Sequence, residues 1–319
     1  MKTPTFTSVF ARDLERFIEF KRNMGCYGAS RIHYLRSFDE YCTKHQARVL
    51  NQETVVGWVE EKRAAQPGSP PSWMSYIRDF GRWMRTHSHP EAYVLSEQWR
   101  AGFHRPQPYL LSQSEITDFF AAAEHLASKT PWQWQATAFF GLMHSCGLRT
   151  CEVQRLAVEN VDLERKLLNI LWSKGNRSRR IPFDDQIREV LFRSDQATKS
   201  NLGPRRQAFF TTSTGAPLGN TAVGVMFNRI WDQAGLPRTE GGPRARPYSF
   251  RHHFAYANIE RWMAQGQDVN AMLPYLSRYM GHASLDSTFY YVHTSPDFLK
   301  SYAQLSQPYQ SLFPEVGFE

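Results

Sequence analysis

The sequence predicts a mainly α protein with one small β-sheet, α+β in class, built as two domains. Three observations predict it. Apolar residues recur at helical spacing through the first hundred residues; a proline-bearing stretch at 103–111 interrupts them; beyond it, helical segments flank three short strand-like runs.

In the first domain, 1–102, Phe10, Leu14, Phe17 and Ile18 form one stripe, and Ile32, Leu35 and Phe38 another. Trp73, Ile77, Phe80 and Met84 form a further stripe after the Pro-Gly-Ser-Pro-Pro break at 67–71. That makes roughly four short helices, enough to close a small bundle. Arg12, Arg16, Lys21, Arg22, Arg78, Arg82 and Arg85 are assigned to the outer faces of these helices, where a basic side chain is ordinarily solvated.

Within 103–111, Pro106 and Pro108 resist helix and keep the chain extended. Ser112, with Glu115 three residues on, then opens a new helix as a capping box. Residues 103–111 are therefore the expected linker and 112–319 the second domain.

In that domain helices are expected at about 115–128 and 132–145, strands at about 157–162, 167–172 and 179–183, and helices again at about 186–194, 221–234, 249–265 and 270–280. Lys174-Gly175-Asn176 joins the last two strands, its Gly and Asn suiting a hairpin turn. Val223, Met226, Phe227, Ile230 and Trp231 mark the apolar face of the helix after it, with Asn220 as the expected cap. The tail carries Phe298, Leu299, Tyr302 and Leu305, half a helical face and too little to be stable alone.

Composition narrows the class. Hydrophobic content of 41% with 21% charged residues is ordinary for a globular protein. No stretch approaches the roughly 20 apolar residues that span a bilayer, and Met1–Ser8 lack the pattern of a secretory signal. A cytoplasmic protein is expected. Cys26, Cys42, Cys146 and Cys151 have neither a zinc-ligand spacing nor the density of a disulfide framework. The net charge of +8 points to a polyanionic partner only if the basic residues collect at a site.

Four local motifs do collect them. They are Gly147-Leu148-Arg149-Thr150-Cys151-Glu152, Ser173-Lys174-Gly175-Asn176-Arg177-Ser178-Arg179-Arg180, Tyr248-Ser249-Phe250-Arg251-His252-His253, and Gly281-His282 followed by Tyr290-Tyr291-Val292-His293. Each has a bland reading: a surface ion pair, a solvated turn, a structural histidine. Together they supply two arginines, a lysine on a hairpin, an imidazole and a phenol, a set suited to metal-free attack on a phosphodiester. Guanidiniums hold the non-bridging oxygens and neutralise charge growing on phosphorus. A tyrosine gives a covalent phosphoryl intermediate, and a lysine can protonate the leaving hydroxyl.

Arg149 in GLRTCE, Lys174 in SKGN, Arg251 in YSFRHHFA, His282 in MGH and Tyr291 in YVH resemble, in order and spacing, the tyrosine recombinase (phage integrase) family. The likeness covers about 112–295, and extends more weakly to the first domain, which is similar to the family's helical core-binding domain. The resemblance implies that Arg149 and Arg251 clamp the scissile phosphate, that Lys174 is the general acid, that His282 donates to the phosphate and that Tyr291 is the nucleophile, with Tyr290 as competitor. It makes Glu152 the carboxylate that orients Arg149, and it leaves Arg177, Arg179 and Arg180 as contacts to the DNA backbone.

One position departs from the pattern. The family usually has histidine three residues before the second arginine, where this chain has Tyr248. A phenol can donate a hydrogen bond to phosphate but is a poor base near neutral pH, so Tyr248 enters the catalytic set with an altered role. The departure leans towards a mobile-element recombinase over a housekeeping one.

The expected reaction is site-specific recombination of double-stranded DNA, through a 3′-phosphotyrosine and a Holliday junction, by a DNA-bound homo-tetramer associated with the nucleoid. Bond energy stays in the phosphotyrosine, so no ATP, metal or other cofactor is implied. Two other functions use the same sequence features: a type IB topoisomerase, which nicks and reseals one duplex, and a non-catalytic DNA-binding regulator.

Overall fold

The computed structural model describes residues 5–24, 28–66, 71–87, 89–99, 108–173, 177–238 and 242–282, together with 284, 285 and 288; for Ala29, Pro71, Trp172, Ser173, Arg177 and Asn220 it describes the backbone alone. The chain divides into two compact units, Met1–Arg105 and Pro106–Glu319. Much of the stretch 103–111, expected as a linker, lies outside the described residues.

The first unit contains helices α1 (Ala11–Asn23), α2 (Ala29–Lys44), α3 (Gln52–Ala65) and α4 (Met74–His87). Their stripes meet in one core, with Leu14, Phe17, Ile18, Leu35, Phe38, Val59 and Phe80 fully buried. Asn51 caps α3 by accepting the Thr54 N–H at 2.9 Å. Asp39, inside α2, ties down the chain ahead of α1 by accepting the N–H groups of Thr7 and Ser8 at 2.7 and 3.0 Å.

Arg78 differs from expectation. It is 5% exposed, and its guanidinium donates to the carbonyls of Leu95 and Ser96 at 2.9 and 3.0 Å. The segment after α4 folds back along it, and carbonyls left outside any ladder need donors. Arg85 serves the same segment through the Ala92 carbonyl at 2.6 Å.

The second unit opens with α5 (Gln113–Glu124), started by the capping box: Ser112 Oγ accepts the Glu115 N–H at 3.2 Å, and the Glu115 carboxylate accepts the Ser112 N–H at 2.8 Å. Then follow α6 (Trp132–Ser145), α7 (Thr150–Gln154), β1 (Val161–Asp162), β2 (Leu167–Ser173), β3 (Arg177–Pro182), α8 (Asp185–Leu202), α9 (Asn220–Gln233), α10 (Ser249–Ala264) and α11 (Val269–Met280). The three strands form an antiparallel sheet in sequence order. Leu168 pairs with Ile181 and Ile170 with Arg179, and the register slips between Ile170 and Ser173.

Four elements depart from the sequence reading, the first being α5, which spans Gln113–Glu124 where about 115–128 was expected. The strand expected over 157–162 keeps only its last two residues, because Val158–Asn160 is a 3₁₀ turn and Val158 donates its N–H to the Gln207 carbonyl. Helix α8 runs to Leu202, past the expected end near 194. Its later buried face is polar, with Thr198 held by Trp134 and the Ser194 carbonyl, so apolar periodicity did not reveal it. The N-cap of α9 is Gly219, not Asn220.

The core of this unit is dense in phenylalanine. Phe119 stands 5.0–5.3 Å, ring centre to ring centre, from Phe250, Phe227 and Phe140. Phe250 thereby anchors the first turn of α10 and fixes its neighbour Arg251. No helix among the described residues is long and apolar enough to cross a membrane.

Candidate active site

Helix α6 ends at a turn that only glycine fits. Gly147 has φ +58°, and a Cβ there would lie 2.4 Å from the Phe254 ring. The chain then enters α7 with Arg149 at its N-cap. The Arg149 N–H and Nη1 donate to the two oxygens of Glu152 at 2.9 and 2.8 Å. Helix α11 ends in a second left-handed glycine, Gly281, with φ +66°.

Three arginines from distant segments converge on the end of α11. Arg179 Nε donates to the Tyr279 carbonyl, Arg251 Nη2 to the Met280 carbonyl and Arg149 Nη2 to the Gly281 carbonyl, each at 2.7 Å. Arg251, 0% exposed in the first turn of α10, also gives Nη1 to the Gly147 carbonyl at 2.6 Å. The last carbonyls of a helix have no partner within it and carry the negative end of its dipole, so they receive guanidiniums well.

Glu152 sits inside this group. Both its oxygens accept from Arg179 at 2.9 Å, in addition to the bonds from Arg149, and Arg251 Nη1 lies 4.0 Å away. Burial pushes its carboxyl up, but the hydrogen bonds and charge of Arg179, then those of Arg149, outweigh burial and hold it at about 2. Among the described residues, three guanidiniums therefore face one carboxylate, an excess of positive charge that favours an anion nearby.

His282 follows Gly281 directly. Its Nδ1 stands 2.7 Å from the hydroxyl of Thr288. Burial, then the charges of Arg251, Arg149 and Arg179, push its pKa down to about 3, so the imidazole is neutral near pH 7. His252 is held at about 4 by burial and Arg251. His253 has other partners, with Nδ1 3.2 Å from the Leu111 carbonyl and its ring stacked on His144. Tyr248, at the N-cap of α10, is 38% exposed and meets the His252 ring edge-on.

The structure thus brings together Arg149, Glu152, Arg251 and His282. Lys174, Tyr291 and its competitor Tyr290 lie outside the described residues. Arg180 is exposed, paired across the sheet with Asn169. Arg179 corrects the sequence reading. Expected beside Arg177 and Arg180 as a contact to DNA, it spends its guanidinium on Glu152 and the Tyr279 carbonyl. The signal was available in the alternation of a strand: Arg179 shares a face with the buried Ile181, and Arg180 takes the other. Thr288 had no signal beyond lying between His282 and Tyr291.

A cavity of about 1300 Å³ opens beside the site, and its wall includes Arg179, Arg180, Arg261, Arg278 and His282. None of its described lining residues is acidic. Among the described residues no cluster of three or more His, Cys, Asp or Glu side chains is placed to hold a metal ion.

Residues 110–297 match the family described as Phage integrase family. The chain belongs to the phage integrase family. It is a tyrosine-type site-specific DNA recombinase, as the motif order implied. Among its relatives, y4rE of Sinorhizobium fredii, an integrase/recombinase by name, is 27% identical over 94% of this chain and 96% of its own length. The tyrosine recombinase XerC of Oceanobacillus iheyensis is 22% identical, over 96% of this chain and 91% of its own. In fold, the recombinase is similar to XerH bound to a palindromic difH substrate, with a TM-score of 0.64, 18% identity, and coverage of 93% of this chain and 84% of that one. It is also similar to the Tn1549 transposon integrase in complex with transposon right end DNA, with a TM-score of 0.63, 15% identity, and coverage of 92% and 98%.

Proposed function

We propose that this recombinase binds double-stranded DNA and cleaves it with Tyr291 as nucleophile, Arg149 and Arg251 holding the scissile phosphate. The observation that carries the reading is the convergence of three guanidiniums on one carboxylate and one helix end, beside a neutral imidazole. Such a site is short of negative charge and built to receive it as it grows on phosphorus.

In this reading the Tyr291 phenol gives its proton to water and its oxygen attacks phosphorus. The bond to the 5′ oxygen breaks, and Lys174 delivers the proton that this oxygen takes up. A 3′-phosphotyrosine and a free 5′ hydroxyl result. The 5′ hydroxyl of the exchanged strand then attacks the phosphotyrosine and restores a phosphodiester, so no external energy source enters. His282 gives the phosphate a neutral hydrogen bond, and the Tyr248 hydroxyl supplies a further donor. Arg177 and Arg180 hold the DNA backbone. Two rounds of exchange through a Holliday junction require two synapsed sites, hence a homo-tetramer.

The test is covalent trapping on a nicked duplex built from the repeats flanking the recombinase's own gene. Tyr291→Phe binds this duplex and forms no adduct, while Tyr290→Phe still does. An adduct with Tyr291→Phe, lost in Tyr290→Phe, reverses the assignment.

A further inference from the structure

Thr288 belongs to none of the motifs, yet it is 0% exposed and its hydroxyl oxygen lies 2.7 Å from Nδ1 of His282. Its own N–H is occupied by the Leu285 carbonyl at 2.7 Å. The direction of the hydroxyl bond decides which form the imidazole takes. A neutral imidazole has one N–H and one bare nitrogen, and its behaviour towards an anion depends on which nitrogen is which.

His282 is neutral because it is buried and because a further positive charge is unwelcome beside Arg251, Arg149 and Arg179, with Glu152 opposing them. Suppose Nδ1 carried the proton. The Thr288 oxygen would then accept it, and the hydroxyl's own proton would be buried with no acceptor among the described residues. A buried donor left unmet disfavours that arrangement by roughly 10-fold or more. With the hydroxyl donating to Nδ1 instead, the buried hydroxyl proton is used, and the one imidazole proton is left on a residue that lines the open cavity. The imidazole proton then sits on Nε2.

We propose that Thr288 is a positioning residue for strand cleavage: by donating to Nδ1 it holds His282 in the tautomer that carries its proton on Nε2. This rests on the reading in which His282 donates to the scissile phosphate. The site gains a hydrogen-bond donor without gaining a charge. In the opposite tautomer, Nε2 would turn a lone pair towards the phosphate oxygens and repel them.

The experiment pairs a spectroscopic measurement with a rate. In the full chain labelled with ¹⁵N at histidine, the His282 signals are assigned by their absence from His282→Gln. The wild type and Thr288→Ser show a protonated Nε2 and a bare Nδ1, and Thr288→Val, which keeps the shape and loses the hydroxyl, shows a mixture or the reverse. On the nicked duplex, Thr288→Val binds as the wild type does but cleaves about 10-fold more slowly or worse, the scale on which outer groups that orient a histidine act. Thr288→Ser restores the rate. A wild type protonated on Nδ1, or a Thr288→Val protein with unchanged tautomer and rate, overturns the proposal. If His282→Gln cleaves like the wild type, the phosphate-donor role of His282 fails instead, and the nitrogen signals still decide what Thr288 does.

Discussion

Two buried arginines, one in each unit, have nearly the same immediate surroundings and different consequences. Arg78 gives two N–H groups to the carbonyls of Leu95 and Ser96; Arg251 gives two to the carbonyls of Gly147 and Met280. Each fastens one stretch of chain to another. What differs is the company. Arg78 has Glu97 and Arg82 nearby, both about half exposed, so water screens their charges. Arg251 lies with Arg149, Arg179 and Glu152, whose side chains are 12%, 12% and 2% exposed, where charge is poorly screened and an excess persists. A single satisfied arginine is a fastening, whereas several around one carboxylate make a place for an anion.

The largest expected effect tests that contrast directly. Arg251→Ala lowers cleavage by ~10²-fold or more, as loss of one preorganised charge donor does, while binding to DNA falls much less because other phosphate contacts remain. Arg78→Ala leaves cleavage per folded molecule unchanged and lowers stability by about 1–3 kcal/mol, because it strips a donor from buried carbonyls. Urea unfolding and single-turnover cleavage on the same preparations separate the two. Equal cleavage defects at equal folded fraction would erase the distinction.

Arg179 and Arg180, adjacent on β3, sharpen it on a finer scale. Arg179→Lys, which keeps the charge but loses the fork that grips Glu152, slows cleavage about 10-fold at saturating DNA and leaves the salt dependence of binding as it was. Arg180→Ala weakens binding and lowers the salt slope by about one, with cleavage of bound DNA intact. An Arg179→Lys protein defective only in binding would return that residue to the DNA backbone.

Tyr248→Phe removes one neutral hydrogen-bond donor and costs about 3- to 10-fold in cleavage, read from the same single-turnover assay. An unchanged rate would take the phenol out of the site.

The smallest effect is on acid stability. Glu152 is held at about 2, below its ordinary 4.5. A depressed carboxylate stabilises the fold fully above its unfolded value, so this contribution is present above about 4.5 and is lost as pH falls towards about 2. The urea midpoint of the wild type therefore drops further over that window than that of Glu152→Gln. Parallel curves would place the acid-sensitive group elsewhere.

Most of the helices were legible because their apolar stripes are strong and local: the stretch 132–145 is α6 residue for residue, and α10 and α11 fall within one residue of expectation. Legibility failed where local pattern was not what held the chain. The second half of α8 is fastened by Thr198 and its polar partners, and the run at 157–160 satisfies its backbone against residues near 207. In the site, Arg149, Glu152, Arg251 and His282 could be named from motif order. Arg78 and Arg179 could not be placed by residue type alone, since a basic side chain on a helix or strand is solvated unless something folds over it; for Arg179 only the alternation of β3 pointed inward.

By itself, then, the sequence determined most of the helices, which chemical groups the recombinase carries and in what order, because propensity, periodicity and motif spacing are properties of neighbouring residues. Only the tertiary structure decided what those groups do to one another. Arg149 meets Gly281 across 132 positions, Arg251 meets Gly147 across 104 and Arg179 meets Tyr279 across 100. Contacts of that range exist only once the helices have packed, and it is the end of α11, brought in by that packing, that turns separate arginines into one electropositive site.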